Sequence, residues 1–264
     1  MDYVEIDGAR VAYQVDGSGP ALVLVSGTGG DMHSNWGHMI HTLARHRTVV
    51  RVDYSGAGTT TDDGGALTIP MLAKQVVAAA RAADVGPFDL VGYSLGSCVA
   101  VHIAAEYPEL VRSVVLLAGF TSSNDPRLQL QGQLWKDLVR TDIKLFARLV
   151  LLTGFSPKTL ASMAKEQMQL VIDTIVRVNH VDGLLRQIEL DGTLDVTGQA
   201  RRISKRTLVI GCVADNVVPV EHARTLAATI PHARYAELPC GHMAPFECPD
   251  DFLMLTLGFL GLAE

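Results

Sequence analysis

The pentapeptide Gly92-Tyr93-Ser94-Leu95-Gly96 decides the reading of this chain. An apolar run, Phe88-Asp89-Leu90-Val91, enters it, and a helix-forming run, Ser97 to Ala105, leaves it. The form is G-x-S-x-G between a strand and a helix. A serine in so sharp a turn occupies strained backbone, so the residues two before and two after it must be small. The turn lifts the hydroxyl clear of the sheet, and the following helix directs its positive N-terminal end to the same point. Small residues flank many serines by chance, so the pentapeptide alone also fits an ordinary loop serine. The strand-turn-helix context and the partners found elsewhere in the chain weigh against that.

Outward from the pentapeptide, strands alternate with helices. Val4 to Val15 alternates apolar and polar about Asp7-Gly8, which predicts a hairpin of half-buried antiparallel strands. Ala21 to Val25, Thr48 to Val52 and Val111 to Leu117 are near-continuous apolar runs, as strands buried on both faces require. Helical stretches lie between them at Trp36 to Ala44, Met71 to Ala83 and Leu95 to Tyr107, the last closed by Pro108. This order predicts βαβ units and a mostly parallel sheet. After Phe120 the alternation stops. Residues 122–202 carry only helical patterns, at Leu128 to Ile143, Leu145 to Leu152, Leu160 to Val178 and His180 to Leu190. The sheet resumes at Thr207 to Cys212, followed by a helix from Glu221 to Ile230, a strand from Ala233 to Leu238 and a closing helix from Asp250 to Leu260. The expected organisation is an α/β core formed by residues 1–121 and 203–264, with a helical cap of residues 122–202 between the sixth and seventh strands.

The totals narrow the partners. The chain has 264 residues, 48% hydrophobic and 19% charged, with net charge -6. That suffices for a large core with an insertion. No basic stripe is present, so nucleic acid is not an expected partner. No apolar run reaches the ~20 residues of a membrane span. The start, Met1-Asp2-Tyr3-Val4-Glu5, is acidic and lacks a signal-peptide core. Cys98, Cys212, Cys240 and Cys248 show no C-x-x-C spacing, and Cys98 and Cys212 sit in apolar runs as core filler. A cytoplasmic protein, monomer or homodimer, is the expectation.

A serine hydroxyl is a poor nucleophile at neutral pH and needs a base. Among nine histidines, His242 stands out. It lies in the loop Pro239 to Pro245 just after the last strand, which returns to the sheet edge where Ser94 emerges. The base needs an acid to fix its tautomer. Asp215, in Ala214-Asp215-Asn216-Val217-Val218-Pro219, follows a strand end, where ligand sites of open α/β sheets gather. Its rival is Asp125, after the preceding strand, which also suits a helix N-cap. Asp215 is favoured because it keeps the chain order Ser, Asp, His. Developing oxyanion charge calls for backbone N–H donors. Leu95 offers one at the helix start, and Ser26-Gly27-Thr28-Gly29-Gly30 offers the other, from Thr28. No Lys-Ser/Thr follows that loop and no G-x-G-x-x-G is present, which argues against a nucleotide site.

With these residues in place, the chain resembles the α/β-hydrolase superfamily, in its capped-esterase and peroxidase-like branch. Gly92 to Gly96 matches the nucleophile elbow, and Gly241-His242 followed by Pro245, Glu247 and Pro249 matches the usual tail around the base. Asp53-Tyr54-Ser55-Gly56-Ala57-Gly58 is similar to the D-x-R-G-x-G turn, with Ser55 where arginine is common, and Ser26 stands where histidine is usual. The resemblance implies an eight-stranded sheet flanked by helices. It also implies a serine hydrolase acting on an ester, thioester or lactone of a medium-sized apolar small molecule, without metal or organic cofactor. Gly27, Tyr93, Leu149 and Met163 are the expected substrate contacts. A tailoring enzyme using the same triad for elimination or cyclisation, and a non-catalytic binding protein of the same fold, are the alternatives.

Overall fold

A computed structural model describes residues 1–261. The chain opens with β1 (Asp2–Ile6), β2 (Ala9–Asp16) and β3 (Ala21–Val25). Asp7 and Gly8 both take positive φ between the first two, which is the turn the Asp-Gly pair predicts. Next come α1 (Ile40–Leu43), β4 (Thr48–Asp53), α2 (Ile69–Ala82), β5 (Phe88–Tyr93), α3 (Leu95–Glu106) and β6 (Val111–Leu117). The eight-stranded sheet closes with β7 (Arg206–Cys212) and β8 (Arg234–Leu238), in the order β1-β2-β4-β3-β5-β6-β7-β8. β1 and β2 pair antiparallel, β2 pairs antiparallel with β4, and the remaining pairs are parallel. The strand order reverses between β3 and β5. Chain segments leaving the C-terminal ends of these two neighbours diverge there and open a crevice.

Every residue of β3 and of β5 is buried, as continuous apolar runs covered on both faces must be. Asp89 is the polar member of β5. It is held by Arg47 at 2.6 Å, Arg112 at 2.9 Å and Ser113 at 2.7 Å, so its burial leaves no bare charge. α3 is buried from Leu95 to Ala104 and hydrophobic all round, the pattern of a helix enclosed by its domain.

Between β6 and β7 lie α4 (Pro126–Thr141), α5 (Ile143–Gly154), α6 (Pro157–Ser162), α7 (Lys165–Val178), α8 (Val181–Asp191) and α9 (Thr197–Ala200). The insertion is pinned at its base by a bridge between Ser122 and Asp195 and by Val196 N–H donating to the Thr121 carbonyl. Two expectations are corrected. Leu160 to Val178 is not one helix, because Met163 and Ala164 take extended backbone between α6 and α7. Ala164 is the N-cap of α7, and its N–H donates to Gln167 Oε1 at 2.9 Å, which starts a new helix in place of continuing the old one. Trp36 to Ala44 is likewise a 3-10 turn at 37–39 followed by the short α1. After β7 come α10 (Val220–Thr229), then β8, α11 (Ala244–Glu247) and α12 (Pro249–Leu260). No helix among the described residues is long and apolar enough to cross a membrane.

The crossing of α3 over the sheet needs two glycines. A Cβ on Gly92 would lie 2.3 Å from the Gly96 carbonyl oxygen, and one on Gly96 would lie 2.3 Å from the Val25 oxygen. Both obstacles are backbone and cannot rotate away. Gly92→Ala is therefore expected to cost about 1–3 kcal/mol or more through forced displacement of α3 from β5. Urea unfolding would show it as a lower midpoint at unchanged slope.

Candidate active site

Ser94 sits between β5 and α3 at φ 55, ψ -121, strained backbone for a residue with a side chain. Its N–H donates to the Leu117 carbonyl at 2.9 Å, and Ser97 Oγ donates to the Gly92 and Leu117 carbonyls, so the turn is tied to β6 from both sides. His242 comes from the loop after β8, and its Nε2 lies 3.0 Å from Ser94 Oγ. Its Nδ1 lies 2.6 Å from Asp215 Oδ2. Asp215 follows β7, and its other oxygen accepts the Val217 and Val218 N–H groups, each at 2.8 Å. With both oxygens engaged, the carboxylate cannot swing away from the imidazole. This pairing calls for the tautomer with its proton on Nδ1, leaving Nε2 free to accept from the serine hydroxyl. All three side chains are buried.

Asp125 is elsewhere. Its Oδ1 accepts from Arg127 N–H and Leu128 N–H at the start of α4, as a helix cap does, and Oδ2 lies 3.2 Å from His222.

The loop leaving β3 faces the same space. Neither the Thr28 N–H nor the Leu95 N–H has a hydrogen-bond partner among the described residues. The loop itself is held at almost every other point. Gly27 N–H donates to Asn35 Oδ1 at 3.0 Å. Gly29 N–H donates to Gln187 Oε1 at 2.9 Å, Asn179 Nδ2 donates to the Gly29 carbonyl at 3.0 Å, and Thr28 Oγ1 donates to Asp191 Oδ2 at 2.6 Å. Ser26, where histidine is usual, accepts Trp36 Nε1–H on its hydroxyl and the Tyr54 hydroxyl on its carbonyl. The Ser26 hydroxyl thus ties the start of the loop to Trp36.

The loop carrying His242 is tied to the insertion. Glu247 accepts from Gly241 N–H at 3.0 Å, from Ser156 N–H at 2.9 Å and from Thr159 Oγ1 at 2.8 Å, besides the Ser156 hydroxyl. Burial opposes the charge on Glu247, but these donors outweigh it and hold the carboxyl below its usual range. Met243 N–H donates to the Gly154 carbonyl, and Tyr93 Oη donates to the His242 carbonyl at 3.0 Å.

One cavity joins these parts. Gly27, Thr28, Tyr93, Ser94 and His242 line it from the sheet side, and Trp135, Phe146, Val150 and Ile175 from the insertion. Leu149 and Met163 do not line it. Both are half-buried and pack against the apolar core. On α5, Phe146 and Val150, one turn apart at i and i+4, reach the cavity, whereas Leu149 packs into the core. Met163 lies in the extended break after α6. The expected apolar lining is present, on different residues of the same helical layer.

Asn35, Gln187 and Asp191 carry no motif and were not legible as site residues. Asp191 had one local signal. An acid as the last residue of a helix opposes the dipole there, and such a misfit asks for another use. Burial pushes its carboxyl up to about 7 against the opposing effects of the Thr28 hydrogen bond and the His242 charge. The residue is half-buried by surface area, yet Oδ1 is out of contact with water and has no hydrogen-bond partner. A carboxyl that ionises later in the native state than in the unfolded chain keeps its proton longer when folded. Its contribution to stability is therefore complete at low pH and is lost as pH rises from its unfolded value of 3.8 to about 7. Burial raises Asp53 to about 7 as well, so two such carboxyls are found among the described residues. Asp191→Leu isolates one of them. Relative to the native chain it should gain roughly 1–3 kcal/mol at about pH 8 compared with about pH 5, read from urea midpoints at the two values.

The fold and this arrangement define a class. Residues 20–249 match the family described as alpha/beta hydrolase fold, and the chain belongs to that family. It is a hydrolase of that fold. A pyrrolizixenacetamide deacetylase of Xenorhabdus hominickii is 50% identical over 260 residues, covering 98% of each chain. A protein of Mycobacterium tuberculosis named for non-heme bromoperoxidase activity is 29% identical over 246 residues, covering 91% of this chain and 94% of its own. A crystal structure of a hydrolase from Pseudomonas aeruginosa PA01 superposes with a TM-score of 0.88 at 28% identity, covering 98% of each chain.

Proposed function

We propose that the protein hydrolyses an acyl bond of a medium-sized apolar small molecule by Ser-His-Asp acyl transfer, the scissile bond being an ester, thioester, lactone or secondary amide. The observation that carries the reading is His242 bridging Ser94 and Asp215 at hydrogen-bond distance on both sides. The amide belongs in the list because of the relative named as a deacetylase of an acetamide.

In this mechanism Ser94 Oγ attacks the acyl carbonyl as His242 Nε2 takes its proton. Asp215 supports the imidazolium without taking a proton itself. The Thr28 and Leu95 N–H groups receive the tetrahedral oxyanion, and the α3 N-terminus adds its dipole. His242 then protonates the leaving oxygen, sulfur or nitrogen. A water molecule deprotonated by the same nitrogen releases the acid. The helices between β6 and β7 act as a cap that lines the acyl and leaving-group space and keeps bulk water from the acyl-enzyme.

The test is a chain-length series of p-nitrophenyl esters together with N-acyl arylamines, with products identified by mass spectrometry. Release of acid and alcohol or amine supports hydrolysis. An alkyl acetate with an acidic hydrogen β to its oxygen is run alongside, because the aryl probes have none to lose. Alkene plus acetate from it, with no aryl probe turned over, would replace hydrolysis with elimination. Phe146→Ala should change kcat/KM discrimination between short and long acyl chains by roughly 1–3 kcal/mol for each methylene contact altered. Leu149→Ala should alter stability and leave the profile in place. A profile indifferent to Phe146 would remove the cap from substrate selection.

A further inference from the structure

The cavity beside Ser94 is small for a medium-sized molecule. It offers about 90 Å³, whereas pockets that enclose a drug-sized ligand span about 300–1,000 Å³. A second cavity of about 420 Å³ adjoins it, walled by α4, by α8 and by Ala66 and Leu67. These walls are tied together. Arg186 of α8 grips Asp62 through both terminal nitrogens, each at 3.0 Å, and donates to the Gly65 carbonyl at 2.9 Å. Gln129 of α4 donates to the Gly192 carbonyl at 2.7 Å. Gly132, Ile188 and Gly192 line both cavities, and two of these three residues have no side chain. Neither glycine is required by backbone or packing. Gly132 lies inside α4, where glycine weakens a helix relative to alanine. It does not take positive φ, and a Cβ there would meet nothing within 4 Å. Gly192 has φ -77, and its Cβ would make only ordinary contacts, the nearest at 3.5 Å to the Glu189 carbonyl oxygen. Alanine would fit at both positions, so what the glycines leave is open space where the two cavities meet.

We propose that the two cavities form one substrate site joined at Gly132 and Gly192, with the scissile bond beside Ser94 and a hydrogen-bonding body of the substrate in the second cavity. The inference rests on the acyl-hydrolysis reading and deepens it: the substrate is apolar around the acyl bond and polar at its far end. The linings carry this division. Trp135, Phe146, Val150 and Ile175 wall the Ser94 cavity. Gln133, Lys136, Glu189 and Thr193 line the second, with Leu67 and Leu190 as its apolar share. Water held by such polar groups is displaced at no loss only by a ligand that replaces its hydrogen bonds, which a purely apolar body does not do. The Ser94 cavity thus holds the reacting end, the second cavity chooses the body, and the size of residue 132 sets whether one molecule can reach both.

The test uses three butanoate esters with a common acyl end: methyl, heptyl and 2-(2-methoxyethoxy)ethyl. The last two have tails of equal length, and only the glycol tail carries ether oxygens. In native protein kcat/KM should be roughly tenfold or more higher for the glycol ester than for the methyl ester, with the heptyl ester between them. Gly132→Leu places a good helix former in the passage and should bring the three esters to within about twofold of one another. Gly132→Ala, the milder step, should fall between. Leu134→Ala, on the exposed face of the same helix, should keep the native ratios. A heptyl ester as good as the glycol ester would overturn the polar body. Equal values for the methyl and glycol esters in native protein would overturn the joined site, and so would a native ratio in Gly132→Leu. An equal loss for all three esters would overturn it too, because residue 132 would then act on the Ser94 cavity alone. If native protein turns over none of them, the hydrolytic reading fails by itself. The same three compounds, titrated into Ser94→Ala protein with and without Gly132→Leu and followed by chemical-shift perturbation, then decide the joined site through the same ratios read as affinities.

Discussion

Ser94→Ala should lower turnover by roughly 10⁶-fold and leave the fold intact. The Thr28 and Leu95 N–H groups, Asp215 and His242 stay where they are, so the proposed mechanism leaves a residual catalysis of about 10³–10⁴-fold over water. Alanine also needs the positive φ of position 94, so the substitution does not relax the elbow. A fluorophosphonate probe followed by intact-mass spectrometry reads the result directly. Native protein should gain one adduct, and the variant none. An adduct on the variant would move the nucleophile to another residue. A native protein that stays unlabelled, with probe access to the cavity shown by competition, would make the chain a binder.

Asp215→Asn should follow at roughly 10⁴-fold in kcat, because an amide stabilises the wrong tautomer and cannot support the imidazolium. The Val217 and Val218 N–H groups still find an oxygen, so the melting temperature should hardly move. Asp125→Asn is the matched control. It removes a charged cap from α4 and a contact to His222, which is worth at most about 1 kcal/mol of stability, and should spare turnover. The reverse ranking of the two variants would assign the acid to the end of β6.

The parts of the fold that were legible in sequence are those set by local chemistry. Continuous apolar runs gave the buried strands, Asp7-Gly8 gave the hairpin, and glycines flanking Ser94 marked a turn in which a methyl group has nowhere to go. His242 and Asp215 were readable because strand ends converge on one edge of a parallel sheet, so loop membership stood in for distance. What escaped depended on which side of a cap helix faces the sheet. Leu149 and Phe146 have the same kind of periodic pattern, and only the packing of α5 chooses Phe146 for the cavity. The break at Met163 and Ala164 carries no proline or glycine, so the sequence reads through it. Asp191, Gln187 and Asn179 act on a loop more than a hundred residues away, and no spacing rule reaches that far.

That long reach bears on how portable the parts of this enzyme are. The loop after β3 belongs to the core by sequence, but three of its anchors are supplied by the end of α7 and by α8. Exchanging residues 122–202 for the corresponding segment of a relative would therefore swap more than a specificity lid. A chimera that keeps Ser94, Asp215 and His242 yet imports a segment lacking partners for Thr28 and Gly29 would inherit those three residues and a slack loop after β3. Transplants meant to change substrate should carry Asn179, Gln187 and Asp191 with the host core, and recombination breakpoints belong on either side of them.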